Sequence, residues 1–364
     1  MTTAHQLFEV FSSESVASGV AHKNKALKKA IINQIDNSGD MTIADLAKEL
    51  AISTPKITSL VNELIEDGLI QDEGKLDSTG GRRANVYGLV SDACYFIGVD
   101  VKRFGINIGL LDFKKHLVSI NENIPYTMEN TQESLNDLIN CIKSFIKEQK
   151  LGSHKILGIG INLSGRINNN TGYSYSFFHF NEEPLSQTLE KALGIRTFLE
   201  NDSRAMAYGE FCSGVVSNEK NVLFINLDYG TGLGILVDGK LYYGKSGFSG
   251  EFGHMPFFNN EIICQCGKKG CLETEVSGLA LLRLLKDKLN EGSSSVLFKK
   301  GKKIEDIKLN DLVEAALKED MLVIELLAEF SEKLGRALAV LINLLNPELV
   351  ILGGTISRTG DYIK

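Results

Sequence analysis

The sequence predicts an α/β protein with a small helical head at its N-terminus and a two-lobed body behind it. Two observations support this: residues 21–90 hold three helical segments and a hairpin, and a glycine-containing hairpin then occurs twice among alternating strands and helices. A chain of 364 residues is also long enough for more than one core. We expect four segments: an N-terminal segment (1–20), the head (21–90), a first lobe (91–200) and a second lobe (201–364).

The head is predicted from three helices in a row. The first runs from about Asn24 to Asn37, the second lies in MTIADLAKEL, and the third lies in STPKITSLVNELIEDGLI. Apolar residues recur at i, i+3, i+4 and i+7 in the third segment, and Pro55 suits its first turn. The stretch GLIQDEGKLDSTGGRRANVYGLV then predicts two strands joined by a loop. Three helices followed by a hairpin are typical of a winged helix-turn-helix.

The polar face of the third helix suits DNA. It carries Lys56, Ser59 and Asn62, which can enter the major groove, while Arg82 and Arg83 follow two glycines at the hairpin tip, within reach of phosphates or a minor groove. A helical protein-interaction module shares the same apolar pattern, and residues 21–90 carry nine Lys or Arg against ten Asp or Glu. The paired arginines favour double-stranded DNA as the partner.

Charge, hydropathy and cysteine usage narrow the class of protein. A net charge of −7 means that any contact with a polyanion must be local. The N-terminus lacks a signal-peptide pattern, and the longest apolar stretch, Ala337 to Leu345, is shorter than the roughly 18 residues of a membrane span. We therefore expect a cytoplasmic protein without membrane contact. In a reducing compartment, the isolated Cys94, Cys141 and Cys212 are expected to be buried free thiols.

The body is predicted from two hairpins, FIGVDVKRFGINIGLLDF and LFINLDYGTGLGILVDGKL, in which Asp100 aligns with Asp228. Two similar α/β lobes would leave a cleft, a usual place for small ligands. Strands are expected in ILGIGINLSG, TFLEND and ELVILGG. Helices are expected near residues 132–147, 185–193, 279–289, 309–318 and 321–345.

Five motifs in order resemble those of the ROK proteins, a family of repressors, open reading frames and sugar kinases. They are LENDSRAMAYGE, GTGLG, GEFGH, CQCGKKGCLE and NPELVILGG. The resemblance runs from about residue 21 to the C-terminus. It implies a two-lobed actin-like ATPase fold of the hexokinase type, and the winged head resembles the repressor branch, which answers to sugars or sugar phosphates.

The stretch GHMPFFNNEIICQCGKKGCLE offers a metal site. His254, Cys264, Cys266 and Cys271 supply one imidazole and three thiolates, a closed set that suits structural zinc in tetrahedral geometry. The family places zinc on these residue types. A chance cluster of thiols is the alternative.

The resemblance also implies a sugar site. A pyranose presents a ring of hydroxyls that buried carboxylates and amides can fix by paired hydrogen bonds. Asp202 matches the general base of the family's kinases, although Asn201 and Asp202 also suit a helix cap. The loop after the strand ILGIGINLSG, with the aromatic run Tyr173 to Phe180, is expected to line or cover the pocket, although surface packing would also explain the aromatic residues. The residues expected at the sugar are Asn201, Asp202, Glu251, His254, Glu273, Ser164 and Gly165.

The two hairpins differ as nucleotide sites. The second keeps glycines that let backbone N–H groups approach phosphates. The first has Asp100 followed by Val-Lys-Arg-Phe, and bulky residues there should spoil that half of the site, although Lys102 and Arg103 could instead attract phosphate through their charges. We therefore expect no ATP or magnesium. The residues assigned to this vestigial phosphate site are Asp100, Gly230, Thr231, Gly232, Gly234, Gly353 and Gly354.

Two functions follow from these assignments. The first is a sugar- or sugar-phosphate-responsive transcriptional regulator, a repressor that binds operator DNA as a symmetric homo-oligomer. The alternative is a glucokinase-like, ATP-dependent sugar kinase with an appended head and Asp202 as its base.

Overall fold

The computed structural model describes residues 19–75, 84–151, 155–180, 182–297 and 303–363. The chain divides into two compact units. Unit 1 comprises Met1–Asn162 and Gly172–Leu199, and unit 2 comprises Leu163–Thr171 and Glu200–Lys364. The finer division into four segments stays a prediction.

Unit 1 begins with the winged head. Its elements are α1 (Gly19–Ser38), β1 (Met41–Thr42), α2 (Ile43–Glu49), α3 (Thr54–Glu66), β2 (Ile70–Lys75) and β3 (Asn85–Leu89). The three predicted helices are therefore confirmed, with α1 longer than expected. The strands form a sheet in the order β1-β3-β2. Helix α3 packs through the apolar positions that its period predicts, namely Ile57, Leu60, Val61 and Leu64.

The core of the head continues into the first lobe. Phe113, Cys94 and Leu157, which lie outside the head in sequence, belong to the same cluster of buried side chains as Ile57 and Leu60. The Phe113 N–H donates to the Ser91 carbonyl at 2.9 Å. Head and first lobe are thus packed together inside unit 1.

The next elements run from Tyr95 to Asn201 in chain order, and the short strand within Leu163–Thr171 belongs to unit 2. They are β4 (Tyr95–Lys102), β5 (Gly105–Asp112), β6 (Leu117–Pro125), α4 (Gln132–Glu148), β7 (Ile156–Leu163), β8 (Ile167–Asn168), β9 (Tyr173–Ser174), α5 (Leu185–Leu193) and β10 (Thr197–Asn201). The main sheet has the order β10-β7-β4-β5-β6. Strands β4 and β5 pair antiparallel up to Lys102 opposite Gly105, so Arg103 and Phe104 alone form the turn of the first predicted hairpin.

Unit 2 contains the second hairpin. Its later elements are α6 (Asp202–Ser213), β11 (Val222–Leu227), β12 (Thr231–Val237), β13 (Lys240–Leu241), α7 (Gly278–Asn290), α8 (Leu309–Leu317), α9 (Met321–Leu345) and β14 (Leu349–Gly353). The sheet order is β13-β12-β11-β14, with β11 antiparallel to β12 and parallel to β14. The largest buried cluster joins β11 and β12 to α7, α8 and α9.

One expectation about the thiols is wrong. Cys94 is buried and desolvation raises its pKa to about 12, but Cys141 is half-buried and Cys212 is exposed. Helix α6 buries Ser203, Arg204 and Ala207, so Cys212 near its C-terminal end faces solvent. Among the described residues, no helix combines the length and the apolar character needed to span a membrane.

Candidate functional site

A polar cluster forms where α6 begins. Asn201 is the N-cap: its side-chain oxygen accepts from the Arg204 N–H at 3.1 Å, while its Nδ2 donates to the Gly165 carbonyl at 3.0 Å. Ser164 Oγ donates to Asp202 Oδ2 at 2.6 Å. Asn201 is thus both the helix cap and a link to the loop after β7. Four of the seven residues expected at the sugar meet at this point.

Glu251 and His254 extend this cluster. Glu251 Oε2 lies 3.4 Å from the Nε of Arg166, the residue after Gly165. The same oxygen lies 3.9 Å from His254 Nε2. His254 ends a short 3₁₀ helix, Phe252–His254, directly after Glu251. The Ser164–Arg166 loop and the GEFGH motif are therefore neighbours within unit 2.

His254 also belongs to the cysteine cluster. One donor atom from each of His254, Cys264, Cys266 and Cys271 lies within 4.8 Å of the other three. The Cys264 Sγ to His254 Nδ1 distance is 3.3 Å, and the Cys266 to Cys271 sulfur distance is 3.6 Å. In a tetrahedral zinc site, these separations are about 3.5 and 3.8 Å. The four residues therefore fit a metal ion of this kind.

Glu273 lies against the cluster. Its Oε1 is 2.9 Å from Cys264 Sγ and 3.2 Å from His254 Nδ1. The hydrogen bond to Glu273 raises the pKa of His254. Burial acts to raise the pKa of Glu273, but the hydrogen bonds from His254 and Cys264 outweigh it and hold that pKa below its ordinary value. Its Oε1 is thus partnered by His254 and the cysteine motif, and the sugar contact expected of Glu273 stays a prediction.

Burial raises the pKa of the Cys264 and Cys271 thiols. A cation bound between them would reverse this by stabilising the thiolates, since a coordinating thiol is deprotonated. The donor set is soft and closed, which indicates a structural rather than a catalytic ion.

Arg204 is a buried residue beside the candidate site that sequence reasoning missed. Its side chain is 3% exposed and its Nε donates to Glu200 at 2.7 Å. Its two Nη groups donate to the Gly247 carbonyl at 2.7 Å and the Ile167 carbonyl at 3.0 Å. The guanidinium also lies over the Tyr243 ring, 5.5 Å from its centroid. Arg204 therefore joins α6 to both loops that carry candidate sugar-binding residues. The only sequence signal was its place within the LENDSRAMAYGE motif.

Two glycines of GTGLG, Gly232 and Gly234, have a packing role in this structure. A Cβ on Gly232 would lie 2.0 Å from Ser203 Oγ, and a Cβ on Gly234 would lie 2.4 Å from the Ala207 Cβ. Strand β12 thus approaches α6 so closely that larger residues do not fit. Gly232 and Gly234 are explained without a nucleotide. Gly230 lies in the turn before β12, which Thr231 begins, and Gly353 ends β14, with Gly354 in the turn after it.

Asp100 and the first hairpin lie in unit 1. Asp100 Oδ2 accepts from Asn107 Nδ2 at 3.2 Å and lies 3.5 Å from Lys102 Nζ. Asn107 and Lys102 of its own hairpin are therefore among the partners of its carboxylate. Residues 101–104 all have negative φ, so the bulky side chains of this hairpin are accommodated without backbone strain.

The predicted DNA-contacting residues of α3 are accessible. Ser59 and Asn62 are exposed and Lys56 is half-buried. Arg82 and Arg83 lie outside the described residues. The aromatic run Tyr173 to Phe180 belongs to unit 1, and its role at the sugar site stays a prediction.

Two sequence profiles match the chain. Residues 97–364 match the ROK family, and residues 25–71 match the winged helix-turn-helix DNA-binding profile. The xylose repressor of Bacillus subtilis (strain 168) is 28% identical over 341 residues, which is 93% of this chain and 84% of the repressor. The DNA-binding transcriptional dual regulator NagC of Escherichia coli (strain K12) is 28% identical over 339 residues, 92% of this chain and 81% of NagC.

Solved structures agree with these matches. A ROK family transcriptional regulator, a homologue of the E. coli MLC protein, superimposes with a TM-score of 0.76 at 26% identity, over 94% of this chain and 85% of that one. A ROK family glucokinase from Streptomyces griseus, in complex with glucose and AMPPNP, gives a TM-score of 0.66 at 28% identity, over 74% of this chain and 86% of the kinase. From the profile over residues 97–364 and the agreement in fold, we conclude that this chain belongs to the ROK family and carries a winged helix-turn-helix head before its ROK domain.

Proposed function

We propose that this protein is a sugar- or sugar-phosphate-responsive transcriptional regulator, acting in the cytoplasm as a repressor of carbohydrate-use genes. One observation carries the proposal: a single chain joins a winged head with an exposed α3 face to a domain in which the Ser164–Arg166 loop contacts Asn201 and Asp202 on one side and Glu251 on the other. The xylose repressor and NagC support it, because their similarity extends over 92–93% of the chain.

The proposed ligand site is built for hydroxyl groups. Asp202, Glu251 and Asn201 Oδ1 supply acceptors, and His254 Nε2 can supply a donor. Ser164 already donates to Asp202 at 2.6 Å, and Asn201 Nδ2 already donates to Gly165 and Asp202. A sugar hydroxyl can donate to the same carboxylate. Because buried polar groups left unpaired are costly, such a site rejects analogues that lack a hydroxyl. We assign sugar contact to Ser164, Gly165, Asn201, Asp202, Glu251, His254 and Glu273.

We propose that zinc occupies the His254, Cys264, Cys266 and Cys271 site. When bound, the ion would cross-link the loop between residues 254 and 271 and supply the charge that keeps the three sulfurs as thiolates. His254 Nδ1 faces the sulfurs, while Nε2 faces Glu251. The metal would thereby orient the imidazole so that Nε2 remains available to a ligand hydroxyl.

We propose that the ligand regulates DNA binding by preferring one arrangement of the lobes over another, since a ligand shifts an equilibrium only by its differential affinity. The winged head shares its core with the first lobe through Phe113, so the two would move together. Two heads are needed to read a symmetric operator, and we therefore expect a homo-oligomer, a dimer or a dimer of dimers. Sedimentation velocity checks this, and a monomer at footprinting concentrations would contradict it.

Operator footprinting tests the function. DNA upstream of sugar-use genes is probed with the full chain, with and without D-xylose, N-acetylglucosamine, glucose and their phosphates. We expect a protected site that one sugar weakens. Asn62→Ala should weaken protection by about tenfold or more, since a good base contact is worth about 1–3 kcal/mol. Lys143→Ala, an exposed change on α4, is the matched control. A chain that protects no such DNA would contradict the proposal.

A sugar kinase remains the second candidate, because Asp202 and the GTGLG hairpin are both present. The packing of Gly232 and Gly234 against α6 removes part of this support, since it explains these glycines without a nucleotide. An ADP-release assay across hexoses and amino sugars decides between the two. Turnover that Asp202→Asn abolishes would establish the kinase, because this change removes the base and keeps the side-chain shape.

A further inference from the structure

Three hydrogen-bond donors converge on the carboxylate of Asp228. This residue lies between β11 and β12, in the turn of the second hairpin. The Tyr229 N–H donates to Oδ1 at 2.8 Å. Oδ2 accepts from Thr355 Oγ1 at 2.5 Å and from the Thr355 N–H at 3.3 Å. Two turns that lie 127 residues apart in sequence, one after β11 and one after β14, therefore meet at a single side chain.

Converging backbone N–H groups and a hydroxyl are the usual means by which turns hold an anion. Here the donors come from the two turns that also carry Gly230 and Gly354, to which the sequence assigned phosphate binding. The anion that they hold is the protein's own carboxylate. Asp100, the equivalent residue of the first hairpin, has Lys102 and Asn107 of its own strands among its partners.

We infer that the Asp228 carboxylate is an internal anion that occupies the donors of Tyr229 and Thr355 and excludes phosphate from them. A phosphate oxygen could reach the same donors only by displacing the carboxylate, and otherwise it would lie close to a like charge. Asp228 is then the residue of unit 2 that prevents nucleotide binding, independently of the altered first hairpin. The inference goes beyond the proposed function, because it concerns anion binding by the chain in the absence of sugar and DNA.

Calorimetry on the full chain tests this, with magnesium-free tripolyphosphate and with ATP as the two probes. Three variants are compared with the unmodified chain: Asp228→Ala, Asp228→Asn and Asp238→Asn. The last removes a carboxylate from the next turn along the chain, at the other end of β12, where Asp238 is exposed, and is the matched control. We expect Asp228→Ala to bind tripolyphosphate at least tenfold more tightly than the unmodified chain, Asp228→Asn to gain less, and Asp238→Asn to stay within twofold. ATP should follow the same order if the gain comes from its phosphates.

Two outcomes would overturn the inference. In the first, the unmodified chain binds tripolyphosphate or ATP as tightly as Asp228→Ala. In the second, the folded Asp228→Ala variant gains no affinity. Circular dichroism establishes folding, and if the alanine variant does not fold, Asp228→Asn decides, because it keeps the side-chain shape and loses the charge. Operator footprinting is a separate measurement, so loss of DNA regulation and failure of this inference are distinguishable.

Discussion

Replacing Arg204 by alanine is expected to destabilise unit 2 and to loosen the proposed sugar site. The change removes three donors at 2.7–3.0 Å and leaves the partly buried Glu200 carboxylate without its cation. Breaking a buried pair by removing one partner costs about 3–5 kcal/mol. Glu200 keeps hydrogen bonds from Tyr243 and from the Asn201 N–H, so we place the loss near the lower value.

The assay is unfolding by urea and by heat, monitored by circular dichroism, together with hydrogen exchange of residues 163–171 and 244–250. A loss of about 3 kcal/mol corresponds to a fall in Tm of roughly 6–12 °C for a unit of this size. Exchange in both loops should accelerate, because the carbonyls of Ile167 and Gly247 lose their donor. Arg204→Lys keeps the charge without the planar fork and should lose about half as much.

The matched control is Arg336→Ala, which removes an exposed arginine from an i, i+4 pair with Glu332 and should change stability by less than about 0.5 kcal/mol. A loss below about 1 kcal/mol in Arg204→Ala, or unchanged exchange in the two loops, would refute the reasoning, because a buried arginine with three partners cannot be removed at so small a cost.

Three further predictions concern the metal, the glycines and the head. Purified protein should contain one zinc per chain, and its removal by chelation or Cys271→Ser should lower Tm; metal-free protein by elemental analysis would contradict the site. Gly234→Ala should lower the free energy of unfolding by about 1–3 kcal/mol, because the new Cβ would lie 2.4 Å from the Ala207 Cβ. A Cβ on Gly209, in α6, would have no atom within 4 Å, so Gly209→Ala should be neutral or stabilising in the same thermal melts. Phe113→Ala should lower the free energy of unfolding by about 3–5 kcal/mol and release the head from the first lobe, which would appear as faster hydrogen exchange in α1 and α3. The control is Phe104→Ala, at a side chain that is 47% exposed, which should leave that exchange unchanged.

Local patterns in the sequence were sufficient for most elements. Helices α5 and α9 begin and end at the predicted residues because their apolar period and caps are local properties. The ligands of the cysteine cluster lie within 18 residues of one another, so spacing alone could suggest them. The sequence indicated that Asn201 and Asp202 could cap a helix and also match a family motif. In the structure Asn201 is the N-cap of α6.

Tertiary structure decided which of these residues act together. Arg204 binds carbonyls 37 and 43 residues away, and Asp228 binds a threonine 127 residues away, and no local period encodes such pairs. The glycines of GTGLG were assigned to phosphate because glycine permits close approach, but only the packing of β12 on α6 reveals which group approaches. Periodicity determines which face of an element is apolar, whereas the partner of a buried charge depends on how distant segments pack, which is a property of the whole fold.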